Sequence, residues 1–283
     1  ASPDGSRVYI GGDFTQVDGQ PRGRIAAFDT ATGQLAQNFS ANVTGTVHDI
    51  AVRGQTVYIG GSFQSVGNQA RQNMAALNAS TGNLLGWAPS ADRPVHALDV
   101  TEDGQYVIVG GHFENINGAG VRGLAKIDAN NADLVPWPVL ISNAGPDSAI
   151  NSITVKNGTV YGSGWHFGPG GNQEGPWRID VETGNLVWVA DCHGDTYDVF
   201  PGESAVYTAS HHHYCGNVSL GFPQYATWKY QHTSAWTHEA TGQNLREVHG
   251  YANWEGHPSP SSIHWYPQTS IGSYTGMSQA SWT

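Results

Sequence analysis

The sequence predicts an all-β protein, a β-propeller made of four-stranded antiparallel blades. The segment VYIGGDF (8–14) recurs as VYIGGSF (57–63) and VIVGGHF (107–113), with weaker copies at 160–167 and 206–213. A second segment, AAFDTATGQL (26–35), recurs in step with the first at 75–84, 125–134 and 178–186, and more loosely at 238–245. A repeat of roughly 50 residues that holds four short strands is typical of a propeller blade.

Each repeat supplies its strands in the same order, which we name A to D from the centre of the propeller outwards. Strand A is a short apolar segment such as VHDIAV (47–52) or VHALDV (95–100), and strand B contains a pair of glycines. Strands C and D form a hairpin around a Thr-Gly or Asn turn. We therefore expect about five blades in a single propeller domain, 1–283, with repeat units at 1–44, 45–94, 95–148, 149–194 and 195–283.

Two closures of the propeller remain open. SPDGS (2–6) matches the turn between strands A and B, and another strand A is due at ASWT (280–283). That strand would complete the first blade and close a five-bladed ring. Alternatively, the chain is part of a larger propeller, and a companion fragment or a neighbouring chain covers strand edges that would otherwise be unpaired.

The paired glycines have a structural explanation. Blades crowd together near the propeller axis, and glycine within a strand marks a close approach of another backbone or side chain. No helix is expected after them, so they do not form a phosphate-binding loop. We expect Gly60, Gly61, Gly110 and Gly111 to serve packing.

Charge and hydropathy exclude two classes of partner. The net charge is −11 and only 12% of residues are charged, whereas nucleic-acid binding requires clustered Lys and Arg. No run of 18 apolar residues occurs, so we expect no membrane span.

The two cysteines are predicted to form a disulfide. If strands A and B of the fifth repeat turn near 202–205, Cys192 and Cys215 lie directly opposite each other, close enough to bridge. Two free thiols that lie near each other are the alternative. A disulfide would fit an oxidising, extracellular compartment.

A set of polar residues is expected to ring one mouth of the central channel. These residues follow the glycine pair of each repeat, or precede strand A. The first group comprises Asp13, Ser62, His112, His166 and His211; the second comprises Asp92, Asp147 and the segment DCHGD (191–195). His48 and His96 occupy matching positions in strand A, equivalent to Asn151 and Tyr197, and we assign them a structural, channel-lining role.

The histidine-rich segment SHHHYC (210–215) supports two kinds of chemistry. Side chains alternate along a strand, so His211 and His213 share one side and His212 faces the other, and we expect Asp195 to lie opposite His212. A metal ion at the propeller axis would draw its ligands from His112, His166, His211 and His213. General acid–base catalysis would use His193, Asp195, Asp198, His211 or His213. Alternatively, these side chains only bond loop backbone on a polar rim.

Aromatic loops suggest a sugar ligand. The segments 164–177 and 251–267 combine Trp and His with Gly and Pro, and flat aromatic faces beside hydrogen-bonding groups suit sugar rings. The candidate ligand-binding residues are Asp13, His112, Trp165, His166, Glu174, Trp177, Trp254 and Trp265. The alternative is that the aromatic rings pack the loops upon themselves.

Three stretches carry a resemblance to a known group of proteins. They are SPDGSRVYIGGDFTQVDGQPRGRIAAFDTATGQL (2–35), DCHGDTYDVFP (191–201) and the histidine–cysteine segment after it. In these the chain resembles secreted actinobacterial proteins with Kelch-like propeller repeats, which often carry polycystic-kidney-type or carbohydrate-binding modules. The resemblance covers nearly the whole chain, and it implies an extracellular location and a propeller of about seven blades.

The sequence thus predicts a secreted β-propeller module that binds polysaccharide or cell-surface glycan at the channel mouth. Two alternatives stay open: a carbohydrate-active hydrolase or lyase that uses His and carboxylates, and an enzyme with a metal held by axial histidines. No nucleophile elbow, zincin helix or EF-hand loop is present, and whether the chain is an enzyme is left open.

Overall fold

A computed structural model describes residues 1–168, 170–223, 231–245 and 254–267, with the side chains of 264–267 excepted. Every regular element in these ranges is a β-strand, as the all-β prediction requires. No helix in this part of the chain is long and apolar enough to cross a membrane. The chain divides into two compact units, Ala1–Pro136 and Trp137–Thr283, and each is described by itself. The single-domain assignment stays a prediction.

The first unit contains three antiparallel blades; among the described residues, blade 1 has strands B and C, blade 2 has strands A to C, and blade 3 has all four strands. Blade 1 pairs β1 with β4, blade 2 has the order β5-β6-β9, and blade 3 has the full order β10-β11-β14-β15. In each of these blades, the connection between strands B and C contains a small hairpin whose two strands are each two residues long. The strands are β1 (Arg7–Gly11), β2 (Gln16–Val17), β3 (Gln20–Pro21), β4 (Ile25–Asp29), β5 (Thr46–Arg53), β6 (Thr56–Ser62), β7 (Ser65–Val66), β8 (Gln69–Ala70), β9 (Met74–Asn78), β10 (Val95–Val100), β11 (Tyr106–Gly111), β12 (Asn115–Ile116), β13 (Ala119–Gly120), β14 (Leu124–Asp128) and β15 (Leu134–Val135).

The second unit contains two blades of four strands each. Blade 4 has the order β16-β17-β18-β19 and blade 5 the order β20-β21-β22-β25. The strands are β16 (Ser148–Lys156), β17 (Thr159–His166), β18 (Gly175–Asp180), β19 (Leu186–Val189), β20 (Thr196–Pro201), β21 (Val206–His212), β22 (Gln231–Trp236), β23 (Gly242–Gln243), β24 (Pro258–Ser259) and β25 (Ser262–Pro267). The predicted four-stranded antiparallel blade is therefore observed in full in blades 3, 4 and 5. The strand predicted at 280–283 lies outside the described residues.

The glycine pairs serve packing, as predicted. A Cβ atom on Gly61 would lie 2.1 Å from the backbone oxygen of Thr46, and one on Gly111 would lie 2.3 Å from that of Pro94. A Cβ on Gly60 would meet Val95 of the next blade at 2.8 Å. A side chain at these positions would push strand A or the neighbouring blade away, which explains why the B strands carry glycine there.

Apolar cores lie between neighbouring sheets of each unit. In the first unit, buried side chains of β6 and β9, such as Val57, Ile59 and Leu77, belong to one cluster. In the second unit, Trp188 and Trp236 are fully buried and share a cluster with both cysteines. This burial holds the polar ends of the A and B strands in fixed positions.

Candidate functional site

Four of the A strands carry a β-bulge at the same repeat position. The register of the A–B pairing shifts at His48, His96, Asn151 and Tyr197. A bulge bends the strand and re-aims a side chain, and bulges often occur next to functional sites. In blades 2, 3 and 5 the bulged residue lies beside the residue that follows the glycine pair or its equivalent, and two polar clusters result, one in each unit.

In the first unit the bulges form the imidazole cluster, which we define as His48, His96 and His112. The rings of His48 and His96 are stacked with centroids 5.0 Å apart, and His112 lies edge-on to His96 at 4.6 Å. His48 Nε2 is 2.7 Å from Ser62 Oγ. Burial, with the repulsion of His112 and His48, lowers the pKa of His96 to about 3. The His96 ring is therefore uncharged near pH 7. The contacts among the three rings give this cluster a more specific arrangement than the predicted channel lining requires.

In the second unit the bulge at Tyr197 helps to form the carboxyl–imidazole cluster, which we define as Glu174, His193, Asp195, Tyr197 and His211. Tyr197 Oη and His211 Nδ1 are hydrogen-bonded. Asp195 Oδ2 lies 3.8 Å from the same nitrogen, beyond hydrogen-bonding distance. Asp195 Oδ1 is buried and has no hydrogen-bond partner among the described residues.

Burial controls the ionisation of this cluster. It raises the pKa of Asp195 to about 6 and lowers the pKa of His211, so it shifts both equilibria towards the neutral form. A strong ion pair would have shifted both pKa values the opposite way. A carboxyl group with a pKa near 6 can gain or lose a proton near neutral pH, which is the property of a general acid or base.

Glu174 brings a second carboxyl group to the cluster. Its Oε2 accepts a hydrogen bond from the Gly194 amide at 3.1 Å and lies 4.0 Å from His193 Nδ1. Burial raises the pKa of Glu174, although the Gly194 amide and nearby His166 and His193 act in the opposite direction, and Asp195 adds to the rise. The pKa of Glu174 therefore depends on both His193 and Asp195, a proximity that the sequence could not show.

The predicted disulfide is present between Cys192 and Cys215, with Cα atoms 4.5 Å apart. It joins the segment before β20 to the segment after β21. Next to it, the His193 amide donates to the Tyr214 carbonyl at 2.9 Å, and the His213 amide donates to the His193 carbonyl at 2.8 Å. The disulfide thus stabilises the loop that presents His193 and Asp195.

The pairing of Asp195 differs from the prediction. The sequence placed Asp195 opposite His212, but the His211 amide donates to the Asp195 carbonyl at 2.9 Å. Between the pairs His193–Tyr214 and Thr196–Ser210, strand B contains one residue more than strand A, and the bulge at Tyr197 compensates for it. The even register assumed from the sequence fails here for that reason.

His212 faces away from His211 and His213, as alternation requires. It is fully buried, and its Nε2 is bonded to Thr196 Oγ1. Among the described residues of this unit, the one group of three candidate metal ligands with atoms within 4.8 Å is Cys192, His212 and Cys215. Because both sulfur atoms are in the disulfide, this group does not bind metal in the oxidised protein. His166, His211 and His213 are not brought together as a ligand group.

Asp198 makes structural contacts and is not a member of the cluster. Its Oδ1 accepts hydrogen bonds from Ser152 Oγ at 2.5 Å and from the Val199 amide at 2.9 Å. It therefore links strand A of blade 5 to strand A of blade 4, and a catalytic role for it stays a prediction.

The aromatic candidates divide into buried and accessible rings. Trp177 is fully buried within blade 4, and Trp254 is 4% exposed, with its indole N–H donating to the Asn172 carbonyl at 2.7 Å. Neither presents a face to a ligand, so self-packing explains both. Trp165 and Phe167 lie with ring centroids 5.1 Å apart, and Phe167 is 66% exposed. The side chain of Trp265 lies outside the described residues.

The remaining predicted residues occupy different settings. His166 is buried, and its Nδ1 lies 3.3 Å from the Gly168 carbonyl oxygen. Asp13 is exposed and forms an ion pair with Arg24 at 2.7 Å. Sequence reasoning missed the place of His48, His96 and Tyr197 in the two clusters, although their equivalent positions in the repeat were a usable signal.

Comparisons with known proteins support the architecture. Residues 1–112 match the family model described as the Rax2 C-terminal beta propeller domain. A Kuenenia stuttgartiensis hydrazine synthase structure is similar at TM-score 0.56 and 14% identity, over 88% of this chain and 66% of that one. The chain is a β-propeller.

A second similar structure is a crystal structure of a mitotic checkpoint complex, at TM-score 0.51 and 13% identity, over 84% of this chain and 61% of that one. At such low identity both similarities show the propeller fold alone. The propeller spans 66% and 61% of the lengths of these two chains. No curated protein sequence matches it.

Proposed function

We propose that this chain is the propeller module of a secreted protein and binds polysaccharide or cell-surface glycan through the carboxyl–imidazole cluster. The observation that carries the proposal is the state of Asp195. Its carboxyl group accepts no hydrogen bond from a described residue, yet its side chain is only 16% exposed. A buried acceptor without a donor is unfavourable, and a sugar hydroxyl would supply the missing donor.

The chemistry around Asp195 suits an uncharged, hydroxyl-rich ligand. Burial lowers the pKa of His211 and keeps its ring uncharged near neutral pH, and it leaves Asp195, whose pKa is about 6, as a carboxylate that needs a donor. Tyr197 and His211 provide an adjacent hydroxyl and imidazole that donate and accept hydrogen bonds. A strongly ionic ligand would instead favour charged partners.

The end of β17 offers an apolar surface beside this polar one. Phe167 and Trp165 lie on one side of the strand end, and His166 between them is buried and close enough to Glu174 to affect its pKa. An exposed aromatic ring can stack on the apolar face of a sugar. The disulfide supports secretion, because such bonds persist in oxidising compartments. The resemblance to secreted Kelch-like repeat proteins is consistent with both.

Glycan binding can be tested with an array followed by calorimetry on the best ligand. Replacing Asp195→Asn removes the carboxylate acceptor with little change of shape, so we expect affinity to fall by about tenfold or more. Phe167→Ala should weaken binding through loss of stacking. The controls are Asp13→Asn, an exposed carboxylate of the first unit, and Tyr207→Ala, an aromatic residue that is 46% exposed on β21. Unchanged affinity in both test variants would refute this site.

One observation favours a second function, a carbohydrate-active enzyme. The pKa of Asp195 is raised to about 6, and its Oδ2 lies 3.8 Å from His211 Nδ1. These are the properties of a general acid–base pair that acts near neutral pH. Product analysis of the bound glycan would separate the two functions: new reducing or unsaturated ends that disappear with Asp195→Asn indicate catalysis, and an intact glycan indicates binding.

A further inference from the structure

The imidazole cluster of the first unit is a second group of titratable side chains, and it shares no residue with the proposed glycan site. The rings of His48 and His96 are 5.0 Å apart and nearly parallel, and those of His96 and His112 are 4.6 Å apart. His96 is therefore in contact with both others. All three belong to blades 2 and 3, so the cluster is built within the first unit.

Two of the repeated β-bulges produce this contact. The pairing of β5 with β6 shifts between Val47 and Asp49, and that of β10 with β11 shifts between Val95 and Ala97. The extra residue is a histidine in each case. The bulge also occurs at Asn151 and Tyr197, so it belongs to the repeat, and what distinguishes blades 2 and 3 is that the bulged residue is a histidine in contact with another imidazole.

His48 has a hydrogen-bonding neighbour of the kind that orients a metal-bound histidine. Its Nε2 lies 2.7 Å from Ser62 Oγ. A metal-bound histidine usually donates its other ring N–H to an oxygen, which fixes the tautomer and the ring orientation. With Ser62 accepting from Nε2–H, the lone pair on Nδ1 of His48 is left for a ligand.

We propose that His48, His96 and His112 bind a divalent transition-metal cation of the zinc, copper or nickel type. Imidazole nitrogen is a preferred ligand of these ions, and three histidines with water in the remaining position form a known zinc geometry. Oxygen-preferring cations such as Ca²⁺ and Mg²⁺ would gain nothing from this set of ligands. The proposal does not rest on glycan binding in the second unit.

Binding requires a small local rearrangement. Among the described residues of the first unit, no three ligand atoms of His, Cys, Asp or Glu lie within 4.8 Å of one another. Metal binding therefore requires the side chains of His96 and His112 to rotate until a nitrogen of each comes near His48 Nδ1, while His48 keeps its contact with Ser62 Oγ. His96, which contacts both other rings, is the shared ligand.

The test uses the full, untagged chain, treated with chelator and kept free of reductant so that the disulfide stays closed. Titration with Co²⁺, followed by its visible absorption, reports tetrahedral nitrogen coordination, and calorimetry with Zn²⁺ gives stoichiometry and affinity. We expect one equivalent of metal, and His96→Gln to weaken binding by at least about tenfold. His112→Gln, at the end of β11, provides a second variant in case His96→Gln fails to fold.

The matched controls are His211→Gln and His257→Gln, which remove histidines of the second unit. These should retain the wild-type stoichiometry and affinity. X-ray absorption of the wild-type zinc complex should show two or three imidazoles. The proposal is overturned if no metal binds at micromolar concentration, if His211→Gln abolishes binding while His96→Gln preserves it, or if the absorption spectrum shows no imidazole.

Discussion

At the scale of single residues, burial determines how the carboxyl–imidazole cluster is charged. Asp195 and His211 lie close enough to attract each other as ions, yet the pKa of Asp195 is raised to about 6 and that of His211 is lowered. Loss of solvent therefore outweighs the attraction between them. As a result, the Asp195 carboxyl group can gain or lose a proton near neutral pH, beside an imidazole whose pKa burial has lowered.

The raised pKa of Asp195 predicts a pH-dependent stability. Between its ordinary value of 3.8 and about 6, the folded chain binds a proton that the unfolded chain releases, so this group favours folding as pH falls and opposes it above pH 6. Asp195→Asn removes the buried charge, and we expect it to raise Tm by about 2–4 °C at pH 8 and by less at pH 5.

Thermal scans of the two proteins at both pH values measure this effect. The exposed Asp13→Asn serves as the control and should leave the difference between pH 8 and pH 5 unchanged. Equal Tm changes for Asp195→Asn at both pH values would show that Asp195 does not ionise with a raised pKa.

At the scale of elements, bulges and the disulfide position the functional side chains. The repeat predicted which residues follow the glycine pairs, and it predicted the bridge between Cys192 and Cys215, because both depend on strand pairing alone. It did not predict the bulges at His48, His96 and Tyr197, since an extra residue in a strand leaves no separate mark in the hydrophobic pattern. The wrong partner assigned to Asp195 has the same origin.

The disulfide should contribute to both stability and binding. It closes a separation of 23 residues, and Cys192→Ser with Cys215→Ser is expected to lower the free energy of unfolding by about 3 kcal/mol. Because the bond stabilises the loop that carries His193 and Asp195, glycan affinity should fall as well. Urea denaturation and calorimetry measure the two effects.

Reduction of the wild-type chain should reproduce both effects, and reductant should not affect the double variant. A double variant with wild-type stability would show that the backbone pairing around His193 suffices to hold the loop.

The glycine pairs permit a direct test of blade packing. Gly61→Ala places a Cβ 2.1 Å from the Thr46 carbonyl oxygen, a contact that only a shift of the backbone relieves. We expect it to lower the free energy of unfolding by about 1–3 kcal/mol, as overpacked sites do. Gly120→Ala on the exposed β13 meets nothing within 4 Å and should change stability little. Similar stability of the two variants in urea would contradict the packing explanation.

At the scale of the whole molecule, a repeated sequence of about 50 residues was sufficient to predict a β-propeller, because each blade buries its strands against the next in the same way. The ligand-facing surface was less predictable. Trp177 and Trp254 resemble Trp165 in composition and loop context, yet two of these rings pack inside the fold, and only their three-dimensional contacts distinguish them. Asp198, similarly, accepts a hydrogen bond from Ser152, which precedes it by 46 residues in the sequence.

The most direct test of the central claim is a crystal structure of the chain with the best glycan from the array. We predict a sugar hydroxyl within hydrogen-bonding distance of the Asp195 carboxyl group, beside Tyr197 and His211. A glycan bound at a different surface, with the Asp195 carboxyl group still lacking a ligand, would contradict it.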